Sequence, residues 1–304
     1  MNDTTPNPPP APEAPPAEAQ FTRLSSLVDE WDADAVQRFE AKQTGKPLGP
    51  TTGLSRLDSA LGAHLEPGLH QVHANTGVGK TAFVLQTAAS CGCPALYLSC
   101  EMRALELLRR ITARVTATFL DRLKSGELHP AEAARLVRKA IGEVPDLSIL
   151  DATQAPASAQ QILNLGDFCR PRPPAPPHLL IVVDSLNTWA VGAYPDLPEY
   201  ERLGVALGTL REIAAKLACP IFVINERNRA SMKSGGLNAG AGNRSIEYGA
   251  ESVIDLNRAE DAKPDANGEV AVTLKIDKNR NGAAGKAIEL KFHGALQRFK
   301  ETVF

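Results

Sequence analysis

Residues 74–81 read A-N-T-G-V-G-K-T, and this octet decides the fold. A short apolar segment, Leu69–His73, precedes it, and the helix-forming run A-F-V-L-Q-T-A-A, residues 82–89, follows. Strand, glycine-bearing turn, Gly-Lys-Thr and helix together make a phosphate-binding loop. Gly77 and Gly79 let the backbone curl so that its N–H groups converge on an anion. A helix starting near Lys80 adds its positive N-terminal end. Lys80 can reach β- and γ-phosphates, and the Thr81 hydroxyl can ligate Mg²⁺. The expected nucleotide cradle is therefore Ala74, Asn75, Thr76, Gly77, Val78, Gly79, Lys80 and Thr81, with Ala74 standing where glycine is commoner. A plain glycine turn with a surface lysine would explain the octet but not its strand-loop-helix setting.

The rest of the composition narrows the class. The chain has 304 residues, of which 43% are hydrophobic, enough for a substantial core. A net charge of −2 gives no bulk basic field, so any nucleic-acid contact must come from a local patch. The cysteines are Cys91, Cys93, Cys100, Cys169 and Cys219, an odd number lying mostly in apolar runs. That pattern argues against a disulfide framework and fits a reducing cytoplasm. Cys91-Gly-Cys93 has no second Cys or His pair at finger spacing, so zinc is not expected. No apolar run approaches the roughly 20 residues that span a membrane, and the basic and apolar start of a signal peptide is missing.

Residues 1–20 are rich in Pro and Ala and are expected to form a disordered, extended tail. Phe21–Lys42 carries Leu24, Leu27, Val28, Trp31, Val36 and Phe39 at a spacing that suggests an amphipathic helix or a broken pair of helices. Its apolar face needs a core or a neighbouring subunit to dock on, which makes 21–50 a linker-helix region. From residue 51 to 304, strands and helices alternate as far as Ile224, and strands dominate afterwards. Helices are expected at 54–61, 105–117, within 119–141, at 158–165 with Ser158 as its cap, and at 199–217. Strands are expected at 95–100, 147–150, 179–184, 221–224, 252–256, 270–276 and 287–292, the last two as a hairpin around Asn281-Gly282. The order predicts an α/β domain with a mainly parallel sheet and antiparallel edge strands.

Several residues then stand out chemically. Asp184 ends an apolar strand after the phosphate loop, where an aspartate can hold Mg²⁺. Glu101 ends the strand after the phosphate-loop helix, facing the crevice at the strand ends. A carboxylate there can take a proton from an attacking water. Lys278 and Arg280 flank a turn, and the residues alone leave open an ordinary charged hairpin or a cationic finger in a neighbour's site. Residues 230–244 are glycine-rich without apolar period, a long loop of the kind that is usually functional. Arg227, Arg229, Lys233 and Arg244 in or beside it could contact a nucleic-acid backbone or be solvated. The histidines show no ligand spacing and read as structural.

Taken jointly, these motifs resemble the RecA-like ATPase domain of DnaB-like replicative helicases, over about Thr51 to Phe292. T-T-G-L-S-R-L-D looks like that family's lead-in, A-N-T-G-V-G-K-T its Walker A, L-Y-L-S-C-E-M its glutamate strand and L-L-I-V-V-D its Walker B. P-I-F-V-I-N-E-R-N-R resembles its sensor strand, S-I-E-Y-G-A-E-S-V-I-D-L-N-R the segment after its DNA loop, and K-I-D-K-N-R-N-G-A-A-G its Lys-x-Arg finger. The resemblance implies a RecA-like P-loop NTPase fold, ATP and Mg²⁺ as cofactors, a homohexameric ring and single-stranded DNA as partner. It makes Lys80 and Thr81 the phosphate and Mg²⁺ residues, Glu101 the general base, Asp184 the metal aspartate, and Lys278 and Arg280 residues acting in trans. The 230–244 loop would face the channel, and the 21–42 helix would dock on the adjacent subunit.

The sequence also departs from the family. Glu226 replaces the glutamine that senses the γ-phosphate, Glu251 stands where Asp is usual, and the channel loop lacks the usual acidic-basic cluster. The Pro/Ala run occupies the place of the primase-recruiting N-terminal domain, so a stand-alone motor domain is expected. Two functions follow: a ring ATPase that translocates on single-stranded DNA, or a nucleotide-gated assembly or repair ATPase of the RecA, KaiC or RadA kind that does not unwind.

Overall fold

The computed structural model describes residues 21–144, 146–226, 249–259 and 261–302. The chain divides into two compact units, Met1–Lys46 and Pro47–Phe304. In the first, a 3₁₀ turn at Leu24–Leu27 runs into α1, Val28–Thr44, which Gly45 ends in the left-handed conformation that glycine favours. Of the two forms expected over 21–42, one amphipathic helix or a broken pair, the segment takes a short 3₁₀ turn running into one helix. Neither piece buries a residue, and Trp31 and Phe39 are exposed.

The second unit is one α/β layer structure. Its helices are α2, Ser55–Leu61; α3, Lys80–Ala88; α4, Ala104–Thr116; α5, Leu120–Lys124; α6, Pro130–Glu143; α7, Ala159–Cys169; α8, Leu186–Ala193; and α9, Glu199–Leu217. Its strands are β1, Gly68–Ala74; β2, Ala95–Ser99; β3, Leu147–Asp151; β4, Leu180–Asp184; β5, Pro220–Glu226; β6, Ser252–Asn257; β7, Glu269–Asn279; β8, Ala287–His293; and β9, Arg298–Glu301. Among the described residues they form one nine-stranded sheet, ordered β3-β2-β4-β5-β1-β6-β7-β8-β9. Strands β3 through β6 in that order pair in parallel, and β7, β8 and β9 close the sheet antiparallel.

β4 and most of β5 are apolar on both faces because helices cover both. Alternate residues of one strand therefore enter different cores. Leu180 and Val182 join Phe83, Leu107 and Ala140 on the side of α3, α4 and α6. Ile181 and Val183 join Ile162, Trp189 and Leu210 on the side of α7, α8 and α9. Ser158 caps α7 as expected, its hydroxyl accepting from Gln161 N–H at 3.1 Å.

Two differences from the sequence expectations bear on the site. The segment after Asp184 forms α8, and four residues near the C-terminus form β9. Phe299 of β9 and Phe292 of β8 stack at 4.4 Å between centroids and lie under the phosphate loop. A Cβ at Gly79 would stand 3.0 Å from Phe299 Cζ and 3.1 Å from Phe292 Cε1. With its φ of +104°, that position takes only glycine without strain. Among the described residues no helix is long and apolar enough to cross a membrane.

Candidate active site

The C-terminal edge of the parallel strands collects the phosphate loop, Glu101 and Asp184. β1 ends at Ala74, and the phosphate loop turns through Gly77 and Gly79, both at positive φ, into α3 at Lys80. The loop backbone and the N-terminal end of α3 thus bring N–H groups and the positive end of a helix dipole to the same strand edge. Beside Ala74, the register of β5 sets Glu226. β2 and β4 pair so that Ser99 faces Asp184, which brings the ends of both strands together.

Asp184 is 3% exposed. Tyr97 Oη donates to its Oδ2 at 2.6 Å, and the Thr81 hydroxyl also donates to it. Burial pushes the Asp184 carboxyl up to about 6, although Tyr97, Thr81 and the Lys80 charge pull the other way. The same burial, with the Asp184 charge beside it, holds the Tyr97 phenol well above its ordinary value. A divalent cation fits this arrangement. It would compensate the charge that burial opposes, and one carboxylate with one hydroxyl is the sparse all-oxygen set that suits a largely hydrated Mg²⁺. The backbone cradle fits a polyphosphate for the reasons given for the loop.

Glu101 lies two residues beyond β2, on a turn that Ser99 Oγ ties down by donating to Met102 O at 2.5 Å. Its carboxylate is exposed and held through one oxygen. Ser185 Oγ donates to Oε1 at 2.6 Å, and Thr188 Oγ donates to the same atom at 3.0 Å. Among the described residues, Oε2 accepts no hydrogen bond, so it is the oxygen presented to the crevice.

Lys278 and Arg280 stand elsewhere. β7 runs against β6, and its end, Asn279, pairs with Ser252 at the start of β6. Arg280 N–H donates to Glu251 O, and Arg280 Nη1 meets Glu251 Oε1 at 2.9 Å. Glu251 N–H in turn donates to Leu69 O, near the beginning of β1. Five residues of strand separate that level from Ala74, about 16 Å at ~3.3 Å each. The two cations therefore occupy the sheet edge opposite the chain's own phosphate loop. The turn they flank packs on α2, with Asn279 Nδ2 donating to Ala60 O at 2.8 Å.

A family described as DnaB-like helicase C terminal domain matches residues 49–301. The chain belongs to this family. A replicative DNA helicase DnaB of Treponema pallidum (strain Nichols) is 28% identical over 290 residues, covering 92% of this chain and 62% of that protein. The chain thus spans about three fifths of the length of that curated relative. A solved structure described as an ATPase domain shares the fold with a TM-score of 0.73 at 17% identity, covering 90% of this chain and 98% of that one. A DnaB-like replicative helicase, solved with its interactions with primase, superposes with a TM-score of 0.72 at 18% identity, covering 92% and 71%. This DnaB-like domain has the RecA-like architecture expected from its motifs, a mostly parallel sheet with antiparallel edge strands.

Three residues of the DnaB-like domain's site escaped the sequence reading: Tyr97, Ser185 and Thr188. A hydroxyl directly after a strand-terminal aspartate, repeated three positions later on a helix, is the signal that could have found the last two. Tyr97 has the signal of a phenol within an otherwise apolar strand, which needs a buried partner. Arg227, Arg229, Lys233 and Arg244, the expected nucleic-acid residues, lie outside the described residues, as does the 230–244 loop.

Proposed function

We propose that this domain hydrolyses ATP with Mg²⁺ at the interfaces of a homohexameric ring and couples turnover to movement along single-stranded DNA. The observation that supports the reading is the division of the expected machinery between two sheet edges. Lys80, Thr81, Asp184 and Glu101 gather at one edge, and Lys278 and Arg280 stand about 16 Å away at the other. A complete site then needs the hairpin of a second copy, as a head-to-tail ring provides.

In this reading the loop N–H groups and Lys80 bind the β- and γ-phosphates, and Thr81 and Asp184 hold Mg²⁺. The bound ion supplies positive charge against the phosphate oxygens. Tyr97 fixes the Asp184 carboxylate by occupying Oδ2. Ser185 and Thr188 fix Glu101 through Oε1, leaving Oε2 to orient the attacking water and take its proton. Lys278 and Arg280 of the neighbour stabilise charge on the transferring phosphoryl group.

The test is the ATPase rate with and without single-stranded DNA, measured alongside the oligomer mass, with Lys80→Ala as control. A hexamer stimulated by DNA, and a control that neither binds nor turns over ATP, is the expected result. The second reading, a nucleotide-gated assembly protein, is favoured by Glu226 at the position next to Ala74, where a carboxylate replaces the family's phosphate-sensing amide. An oligomer that changes mass with ATP but whose rate ignores DNA would support it instead.

A further inference from the structure

We propose that Cys91 and Cys93 form a redox-active dithiol, which a small-molecule disulfide oxidises to an intramolecular disulfide. The pair lies away from the candidate active site, between the end of α3 and the start of β2. Their Sγ atoms are 3.7 Å apart, in direct contact on one side of the turn. A disulfide bond is about 2.05 Å long, so closure draws the sulfurs together by less than about 2 Å. Gly92 between them is exposed, has a φ of +78° and has open space where a side chain would stand, so the turn has room to adjust.

Chemical access is also present. A cavity of about 220 Å³ is lined by Cys91, Gly92 and Cys93 together with Val144, Asp146 and Leu147. Cys93 is half-buried and Cys91 buried, so an arriving disulfide enters through this cavity. A shared metal is the competing explanation for two facing sulfurs. Among the described residues, however, no group of three or more His, Cys, Asp or Glu could hold an ion. Hydrogen bonding within the pair draws the Cys91 thiol below its ordinary value and pushes the Cys93 thiol up, so the first proton leaves from Cys91.

The exchange balances as two displacements. The Cys91 thiolate attacks one sulfur of the small disulfide, forming a mixed disulfide and releasing one small thiolate. Cys93 then loses its proton to solvent and attacks Cys91 Sγ, breaking the mixed disulfide and releasing the second small thiolate. Two protein thiols are oxidised by two electrons, the small disulfide is reduced to two thiols, and these take up the two protons. The bond staples the tail of the helix that begins at Lys80 to the head of the strand that leads to Glu101. The Cys91 carbonyl also accepts Thr51 N–H at 3.0 Å, which ties the lead-in segment to the same turn.

The experiment treats the folded full chain with oxidised glutathione, blocks free thiols with an alkylating agent, and maps the peptides by mass. The expected product is a Cys91–Cys93 disulfide, reversed by dithiothreitol. Cys93→Ser and Cys91→Ser should each stop at a glutathione adduct or stay reduced, without an internal link. Cys93 is half-buried, so its variant keeps the test available should the buried Cys91→Ser fail to fold. Three outcomes overturn the proposal: a stable glutathione adduct in the unmutated chain, a link from Cys93 to Cys219, or no reaction in the folded chain while the unfolded chain closes the ring.

Discussion

Ser185 Oγ donates a 2.6 Å hydrogen bond to Glu101 Oε1, joining the residue after the candidate metal aspartate to the candidate general base. Ser185 is buried and occupies the N-cap position of α8, yet its hydroxyl caps no helix N–H. Its hydrogen bond goes to the neighbouring strand end, where it fixes a carboxylate that is otherwise exposed.

Ser185→Ala should therefore slow ATP hydrolysis while leaving nucleotide affinity nearly unchanged. A hydrogen bond to a charged group contributes roughly 1.5–3 kcal/mol, so kcat should fall by about 10- to 100-fold if the loss appears in the transition state. Thr188→Ala should do less, because its bond to the same atom is longer, 3.0 Å. Glu101→Gln sets the scale, with a loss of about 10²–10⁴ expected for a positioned base. Steady-state kinetics with nucleotide binding measured separately checks this. A Ser185→Ala protein with unchanged kcat would show that the hydroxyl plays no part in positioning Glu101.

The stability of the domain should fall with acid through His70. This side chain is buried in β1, its Nε2 against Glu66 O at 2.8 Å and its Nδ1 against Ser252 Oγ at 2.8 Å. A carbonyl only accepts, so Nε2 carries a proton. Burial lowers its pKa from 6.5 to about 4. A depressed folded-state value contributes stability that is complete above 6.5 and is lost as pH falls toward 4. At about 1.4 kcal/mol per pH step, the full window is worth on the order of 3 kcal/mol. Asp184, raised to about 6, acts in the opposite sense, since its contribution is lost as pH rises. The comparison that isolates His70 is thus the slope of stability against pH in His70→Asn and the unmutated domain. The variant should show the shallower acid slope, and identical slopes would remove His70 as the cause.

A remote cap anchors the lead-in to the phosphate loop. Glu301, at the end of β9, accepts from Arg56 N–H at 2.7 Å and Leu57 N–H at 3.2 Å, and Ser55 Oγ donates to it at 2.9 Å. Its carboxylate therefore caps α2, whose own N-cap residue, Leu54, has no side chain able to do so. Glu301→Ala should cost about 1 kcal/mol, the usual worth of an N-cap. A lower denaturant midpoint at unchanged m-value is the expected reading, and an unchanged midpoint would mean that water replaces the carboxylate.

How much of this was legible depended on how local each cause was. The phosphate loop, its helix and α9 were readable because glycine placement and apolar period are properties of consecutive residues. The ends of β2 and β4 were readable from the carboxylates that close two apolar runs, but the pairing of these strands, which are far apart in sequence, was not. β9 was not readable, since R-F-K-E has one apolar residue and its reason to be a strand is Phe299 packing under Gly79. α8 was missed because L-N-T-W-A-V-G-A is short and mostly apolar, and the residue that should announce it, Ser185, binds Glu101 instead. The Glu301 cap joins residues 245 positions apart, which no window along the chain can contain.

Arg280 is tied to Glu251 through both its backbone and its guanidinium, at the sheet edge opposite the chain's own phosphate loop. If Arg280 acts in hydrolysis, it must act on another copy. Arg280→Ala should then lower turnover by about 10³-fold or more, the usual worth of such a finger. The fold should survive, because the ion pair it loses is half-exposed and worth at most about 1 kcal/mol. Mixing with Glu101→Gln separates action in trans from action in cis. In a randomly mixed ring at equal proportions, about a quarter of the head-to-tail interfaces join a subunit with Glu101 intact to a neighbour with Arg280 intact. Those interfaces regain activity, and the rate should peak near equal mixing. If Arg280 served its own chain's site, every site in the mixture would lack one of the two groups, and the rate would remain the sum of two impaired proteins at every ratio. Mixed oligomers verified by mass, with no recovery at any ratio, would overturn the trans reading and leave the Arg280–Glu251 pair a structural clasp at the start of β6.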